Sequence, residues 1–458
     1  EMTTPMKRTA LPRATLRDTL GIVTDVVVPT IAKGVIIRRP RMVALAERFD
    51  LDRRAVRRMQ RLREVYGAGP LLLRLPVRRQ ALLLSPGHVR RVLDGTPTPF
   101  GADTSEKRAA LAHFEPGGVL ISSGSARVDR RRFNEAVLDT PYPVHRLGAH
   151  FITVVDEEAR DLLLLAHRQG ELDWDLFVAA WFRVVRRVVL GDSARDDHVL
   201  TDLLARLRAD ANWAFLRPRR AGLRRRFDAR LRHHLERAEP GSLVGMAAAT
   251  PATTTSAPAQ QVPQWLFAFD AAGMATFRAL ALLAAHPDHA AHARDEIASR
   301  SGSARTVLPY LRACILESVR LWPTTPAVLR QSIAETTWET GLMPPRTDIL
   351  IFAPFFHRDA RHLPEADRFA PELWSRHRAA EDWPLIPFSE GPAVCPGQNL
   401  VLLLSSAMLA ALLDDGLPRL RPGTPFDDRR ALPGTLNPFT LRFTLAGEHP
   451  AECDHRPQ

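Results

Sequence analysis

Ten residues toward the C-terminal end, F-S-E-G-P-A-V-C-P-G at 388–397, restrict the fold more than any other part of this chain. They set one cysteine, Cys395, in a turn between an apolar approach (Leu385, Ile386, Pro387, Phe388) and a long apolar run predicted to be a helix over 398–413. A thiolate at a helix N-terminus is stabilised by the dipole and by backbone N–H groups that have no partner inside the helix. Gly391 permits a bend that points amides at the sulfur. Phe388 can shield the sulfur from water, and Gly397, having no Cβ, lets a flat ligand approach the start of the helix. An isolated cysteine is ordinarily a small buried core residue. These surroundings suit a thiolate metal ligand instead.

The spacing F-x-x-G-x-x-x-C-x-G resembles the haem-binding loop of the cytochrome P450 family, and the resemblance covers the chain from about residue 70 to 446. It implies that Cys395 is the axial ligand to the iron of haem b, where sulfur donation favours O–O cleavage. It also implies a fold that is mainly α with small β-sheet regions. Phe388, Gly391 and Gly397 would complete the cofactor cradle. One departure matters. The family usually has Arg or His two residues before the cysteine, against a haem propionate, and this chain has Ala393. Arg127 and Arg131, four apart on one predicted helix face, and Arg330, after P-A-V-L, match family positions that pair with propionates. Carboxylates favour planar guanidinium donors, so together these arginines are expected to supply what Ala393 does not.

Two further motifs carry the resemblance. Glu317 and Arg320, in E-S-V-R, would be a routine surface pair by themselves but resemble the family's buried E-x-x-R, which locks the fold beneath the haem. Its usual third member, a later arginine, is replaced by Leu373, with Arg368 or Arg376 as candidates. The apolar run 264–286 contains A-G-M-A-T, which resembles the segment over the distal haem face. Ala272 and Gly273 would leave room there for dioxygen, and Thr276 would offer a hydroxyl. Ala275 stands where the family has a proton-relaying acid, and Asp270 points elsewhere on the helix. Phe100, Phe114, Leu120 and Phe269 are candidate substrate contacts.

Charge bears on partners. The formal net charge is +12, from 63 basic and 51 acidic residues. The Arg-rich run 217–237 invites a nucleic-acid reading, but Leu223, Phe227, Leu231 and Leu235 recur every four residues, as in an amphipathic helix with a solvated face. Three cysteines (Cys314, Cys395, Cys453) make no disulfide framework, and Cys453 with His455 makes no zinc site. No uninterrupted apolar run of about 18 residues suggests a membrane span, and nothing reads as a signal peptide. A cytoplasmic monomer is expected.

Along the chain, 1–40 reads as an irregular N-terminal extension and 41–458 as a single haem-thiolate domain with a low-complexity flexible link near 241–261. Periodicity predicts helices over 41–66, 144–167, 174–190, 198–209, 218–237, 264–286, 287–299 and 307–321, another from Ser125, and a short one after Ser85. Strands are predicted at 71–75, 80–84, 328–333, 336–339 and 349–352, with a terminal hairpin in 436–445 and a long loop at 95–124. The resemblance implies a monooxygenase that inserts oxygen from O2 into an apolar or amphipathic organic substrate. Electrons would come from a separate ferredoxin and ferredoxin reductase. Ala275 keeps open a peroxide-using or O2-independent enzyme, and a haem-binding sensor without turnover is the rival from another class.

Overall fold

The structure, a computed structural model, describes residues 10–300, 306–378, 382–414, 416–424, 426 and 431–445. Cys453 and His455 lie outside the described residues. The architecture is mainly helical with small sheets, as the motifs imply. Helix α1 (Leu16–Ile22) continues through one π-helical turn at Val23–Val27 into α2 (Val28–Lys33), so the reading of 1–40 as irregular is corrected. Pro29 reads as a breaker, yet it sits in the first turn of α2, where the register has already slipped and its missing N–H costs little. The helix expected at 41–66 is two, α3 (Pro40–Arg48) and α4 (Leu51–Tyr66), broken at Asp50, whose φ is 48°.

The helices that follow are α5 (Pro86–Asp94), α6 (Ser105–Leu111), α7 (Gly124–Leu138), α8 (Gly148–Gln169), α9 (Trp174–Leu190), α10 (His198–Ala211) and α11 (Ala221–Arg237). Next come α12 (Leu243–Ala249), α13 (Pro258–Ala285), α14 (Pro287–Ser299), α15 (Pro309–Leu321), α16 (Ala353–His357) and α17 (Gln398–Asp414). Two corrections fall here. The loop expected at 95–124 contains α6, a two-residue strand and a turn of 3-10 helix at Val119–Ile121. The flexible link expected near 241–261 is ordered: Ser242 caps α12, whose Leu243, Val244 and Ala247 are buried. Thr253 and Ser256 then both donate to Asp129, at 2.8 and 2.6 Å. Alanine- and threonine-rich composition reads as slack, and it cannot reveal hydroxyl partners more than a hundred residues away.

Strands are β1 (Leu71–Leu72), β2 (Gln80–Leu82), β3 (Phe100–Gly101), β4 (Leu172–Asp173), β5 (Ala327–Ser332), β6 (Thr336–Trp338), β7 (Gly341–Met343), β8 (Thr347–Phe352), β9 (Arg419–Leu420) and β10 (Arg442–Thr444). The largest sheet has the order β1-β2-β8-β5-β3, with β5 and β8 antiparallel from Ala327↔Phe352 to Ser332↔Thr347. Residues 436–445 form no hairpin by themselves. Strand β10 pairs with both β9 and β4, joining the chain end to the start of α9.

Two large apolar cores and a small cluster of Leu363, Ala366, Ala370, Leu373 and Leu385 form among the described residues. The larger gathers α8, α9, α13, α15 and α17, and the smaller lies between the first helices, the large sheet, α5 and α16. Helix α13 runs through the larger one. It is long and apolar enough to cross a membrane by composition, contrary to the sequence expectation, but 78% of its most apolar window is buried inside the protein. An apolar helix that is covered on most sides is a core element.

Candidate functional site

The cysteine loop is held by backbone contacts on three sides. The Cys395 N–H donates to Phe388 O (3.0 Å), closing the loop on itself. Arg131 Nη1 donates to Val394 O (2.7 Å), and Thr140 Oγ1 donates to Pro396 O (2.7 Å), so α7 and its C-terminal end grip both sides of the sulfur-bearing residue. Gly391, at φ 69°, lies against the end of α5, where a Cβ would collide with Leu93 O. Only glycine suits that position. At Gly397 a Cβ would meet nothing nearer than Leu138 Cδ1 at 3.9 Å, so the approach to α17 is open. Cys395 is half-buried, and burial pushes its thiol up, opposed by the Gly397 amide and by Arg131.

The arginines divide into two kinds. Arg131 is already engaged: besides Val394 O, its Nε pairs with Glu135 (2.5 Å). It clamps the loop through Val394 O and, unlike Arg127, already has a carboxylate beside it. Arg330 is buried on β5 and donates only to neutral oxygens, Thr96 Oγ1 (3.0 Å), Leu329 O (2.9 Å) and Ser389 Oγ (3.5 Å). Burial and the nearby Arg127 pull it down to about 10. Arg127 is lowered by burial and by Arg131, and makes no ion pair among the described residues.

Lys107, on α6, belongs with them. Its Nζ donates to Ala102 O (2.9 Å) and Leu329 O (3.3 Å), and burial, then Arg330, brings it down to about 7. Sequence reading missed it because one lysine in S-E-K-R looks like a solvated charge; its reach to Leu329 O on β5 could not be read. Arg330 is buried and Lys107 and Arg127 are half-buried; Arg330 and Arg127 lower Lys107, Arg127 lowers Arg330, and none of the three forms an ion pair with a carboxylate among the described residues, which fits a dianionic group set between α6, α7 and β5. The donor set therefore suits the two propionates of haem.

On α13 the outcome is mixed. Thr276 is fully buried, and its Oγ1 donates to Ala272 O (2.7 Å) one turn back. Gly273 does not leave room for a small ligand as expected. Its missing Cβ is the space occupied by Trp181, whose Cδ1 would stand 2.8 Å from it, and Trp181 Nε1 is fixed on Phe269 O (2.7 Å). Asp270 is tied to Arg208 (2.7 Å), consistent with its pointing away from Thr276.

Of the proposed substrate contacts, Phe114 stacks edge-on against Phe267 (5.6 Å), Phe269 meets Trp181 (6.4 Å), and Leu120 is 39% exposed. Phe100 is corrected: it packs on Trp338 (6.0 Å) in the smaller core. An unforeseen polar group sits beside Phe114. Glu115 is fully buried, raised well above the usual carboxylate range by burial against the pull of Arg208, and the Gln264 amide donates to its Oε1 (2.6 Å).

Beneath this layer Glu317 and Arg320 are both fully buried and doubly bonded, Nε–Oε1 at 2.6 Å and Nη2–Oε2 at 2.8 Å. The third member is no arginine side chain. Trp374 Nε1 donates to Glu317 Oε1 (2.9 Å) and the Ala370 N–H to Oε2 (2.8 Å). Arg320 in turn donates to the carbonyls of His357, Glu365, Ala366 and Arg368. Of the two candidates, Arg368 lends only its backbone and Arg376 pairs with Glu365 (3.3 Å).

Residues 260–422 match the family model for cytochrome P450. Over 172 residues the chain is 33% identical to sugiol synthase of Salvia miltiorrhiza, covering 35% of this chain and 34% of that protein. Over 183 residues it is 32% identical to cyclooctat-9-en-7-ol 5-monooxygenase of Streptomyces melanosporofaciens, covering 38% of each. The matched stretch thus spans little more than a third of these curated relatives. Among solved structures, a cytochrome P450, CYP102L1, aligns over 96% of this chain and 99% of its own with a TM-score of 0.71 at 19% identity. Retinoic acid bound cyanobacterial CYP120A1 aligns over 84% and 93% with a TM-score of 0.69 at 17% identity.

Proposed function

We propose that this chain, which belongs to the cytochrome P450 family and has its fold, is a haem-thiolate monooxygenase acting on an apolar or amphipathic organic substrate. The observation that carries the reading is the pairing of a backbone-held Cys395 with the buried Arg330 and the half-buried Arg127 and Lys107, none of which forms an ion pair among the described residues. Cys395 would ligate the iron, those three cations would hold the propionates, and Arg131 would fix the loop through Val394 O. When bound, haem supplies the activation of O2 and the insertion of one oxygen atom into substrate, the other leaving as water with two electrons and two protons consumed.

The chain's own residues then have distinct tasks. Thr276 holds a proton at Oγ1 while its Ala272 acceptor fixes the rotamer. Ala275 has no group to replenish that proton, and Asp270 is held by Arg208, so the supply is water or a hydroxyl of the substrate. Phe114 and Phe267 contribute an apolar wall that excludes other water. The Streptomyces relative named for cyclooctat-9-en-7-ol, and the retinoic acid in the cyanobacterial neighbour, are in keeping with an amphipathic substrate. A separate ferredoxin and its reductase would supply the electrons, and a role in secondary metabolism fits such chemistry.

The reduced protein with carbon monoxide is expected to show the red-shifted band of thiolate ligation, and Cys395→Ser to lose it. Retention of that band in Cys395→Ser, with loss in Cys314→Ser, would overturn the assignment. The absence of an acid at position 275 favours one second reading, turnover with peroxide or without O2. Product formation with peroxide alone, and none with a ferredoxin pair, would select it.

A further inference from the structure

We infer that the protein has a second small-molecule site, for a carboxylate or phosphate group, in the partly open cavity between α4, the N-terminal segment that precedes it and the end of α15. The cavity measures about 180 Å³. A single water needs roughly 10–15 Å³ on this scale, so a small oxyanion fits with room for several waters. Six cations line it, Lys33, Arg38, Arg53, Arg57, Arg278 and Arg358, against two carboxylates, Asp52 and Asp367.

Both acids are already engaged. Asp52 is taken by Lys33 and by the Thr435 hydroxyl, and Asp367 bridges Arg53 (3.0 Å) and Arg358 (2.6 Å). Two further acids stand just behind: Asp50 on Arg53 (2.8 Å), and Glu47, which burial raises. Even counting these, the positive groups outnumber the negative.

The uncompensated members are specific. Arg278 is buried on α13, two residues beyond Thr276, and bonds only to carbonyls: Leu436 O from Nε (3.0 Å) and Nη2 (2.6 Å), and Trp322 O from Nη1 (3.4 Å). Burial and the neighbouring Arg38 pull it down to about 9. Arg38 likewise donates only to carbonyls, of Gly34 and Thr324. Arg57 makes no ion pair or hydrogen bond among the described residues and overlooks the opening. A guanidinium sequestered from water without a counter-charge is costly, and a bound oxyanion removes that cost through paired N–H donors. The cations here lie on elements distinct from Lys107 and Arg127, so this site is separate from the propionate positions.

The test is calorimetric titration of the full-length, haem-loaded protein with inorganic pyrophosphate and, separately, with glutarate, each against sodium chloride of equal ionic strength. Saturable one-to-one binding of at least one probe is expected, beyond anything chloride produces. Arg57→Glu, a change at an exposed and unpartnered side chain that leaves folding intact, should weaken it at least tenfold, and Arg278→Gln should do the same. Binding of pyrophosphate alone identifies a phosphate ligand, and of glutarate alone a carboxylate. The haem absorption spectrum should not change in either variant, which separates this site from the haem-thiolate reading. No saturable binding of either probe, or wild-type affinity in both variants, overturns the inference.

Discussion

Replacing Trp374 by Phe tests whether an indole completes the buried Glu317–Arg320 pair. The substitution removes one donor from Glu317 Oε1, a bond of 2.9 Å to an ionised, fully buried group. Hydrogen bonds to charged groups contribute about 1.5–3 kcal/mol, and a neutral one about 0.5–1.5 kcal/mol. The same substitution in a Glu317→Gln background should therefore cost less, because the acceptor there is neutral. We expect a coupling of about 1 kcal/mol from the double-mutant cycle. One kcal/mol moves the melting temperature by about 2–4 °C in domains of 150–250 residues and by only about 1 °C in a chain of this length, so Trp374→Phe alone should lower it by about 1–3 °C. Denaturant unfolding of wild type, both single variants and the double variant gives the cycle. Equal cost in both backgrounds would show that Trp374 contributes packing and no charge-directed bond.

Three other outcomes follow from the geometry. Gly273→Ala should destabilise by about 1–3 kcal/mol, as overpacking does, because the new Cβ would stand 2.8 Å from a Trp181 ring that its bond to Phe269 O prevents from moving; Trp181→Phe should restore most of the loss in thermal melts. Lys107 is depressed from 10.5 to about 7, so between those values the unfolded chain binds the extra proton and the haem-free protein gains stability as pH rises; Lys107→Gln should flatten that rise in pH-dependent denaturation. Thr276→Ala should lower product formed per electron consumed, measured with one confirmed substrate, and unchanged coupling would remove its hydroxyl from proton delivery.

Motif spacing singles out Cys395, Thr276, Glu317 and Arg320 as candidates because each belongs to a local pattern whose geometry a helix or a turn dictates. Helices α9 and α14 were legible to the residue, since apolar periodicity and flanking Gly, Pro or Asp agree there. What escaped is long-range. Lys107 becomes a candidate only when α6 docks beside β5, and Trp374 only when the segment after residue 357 wraps under α15. The misread role of Gly273 has the same cause: a missing side chain tells that something comes close, and here the neighbour is Trp181. The N-terminal helix was missed because Pro29 and scattered polar residues interrupt its pattern, while the π turn that tolerates them leaves no mark in composition.

Gln261 bears on how a molecule can reach the interior. Its Oε1 accepts from the Val119 N–H (3.1 Å) and from Asn134 Nδ2 (3.1 Å), while its Nε2 donates to Gly117 O (2.9 Å), Ser256 O (3.1 Å) and Ala257 O (3.3 Å). One buried amide thus rivets residues 117–119 to α13 and α7. Lifting that stretch would break two of these five bonds, to the Val119 N–H and to Gly117 O, and leave buried polar groups without those partners. If a substrate enters beside the 95–124 segment, residues 117–119 would be the fixed jamb it passes, and any movement that admits it would lie elsewhere along that segment.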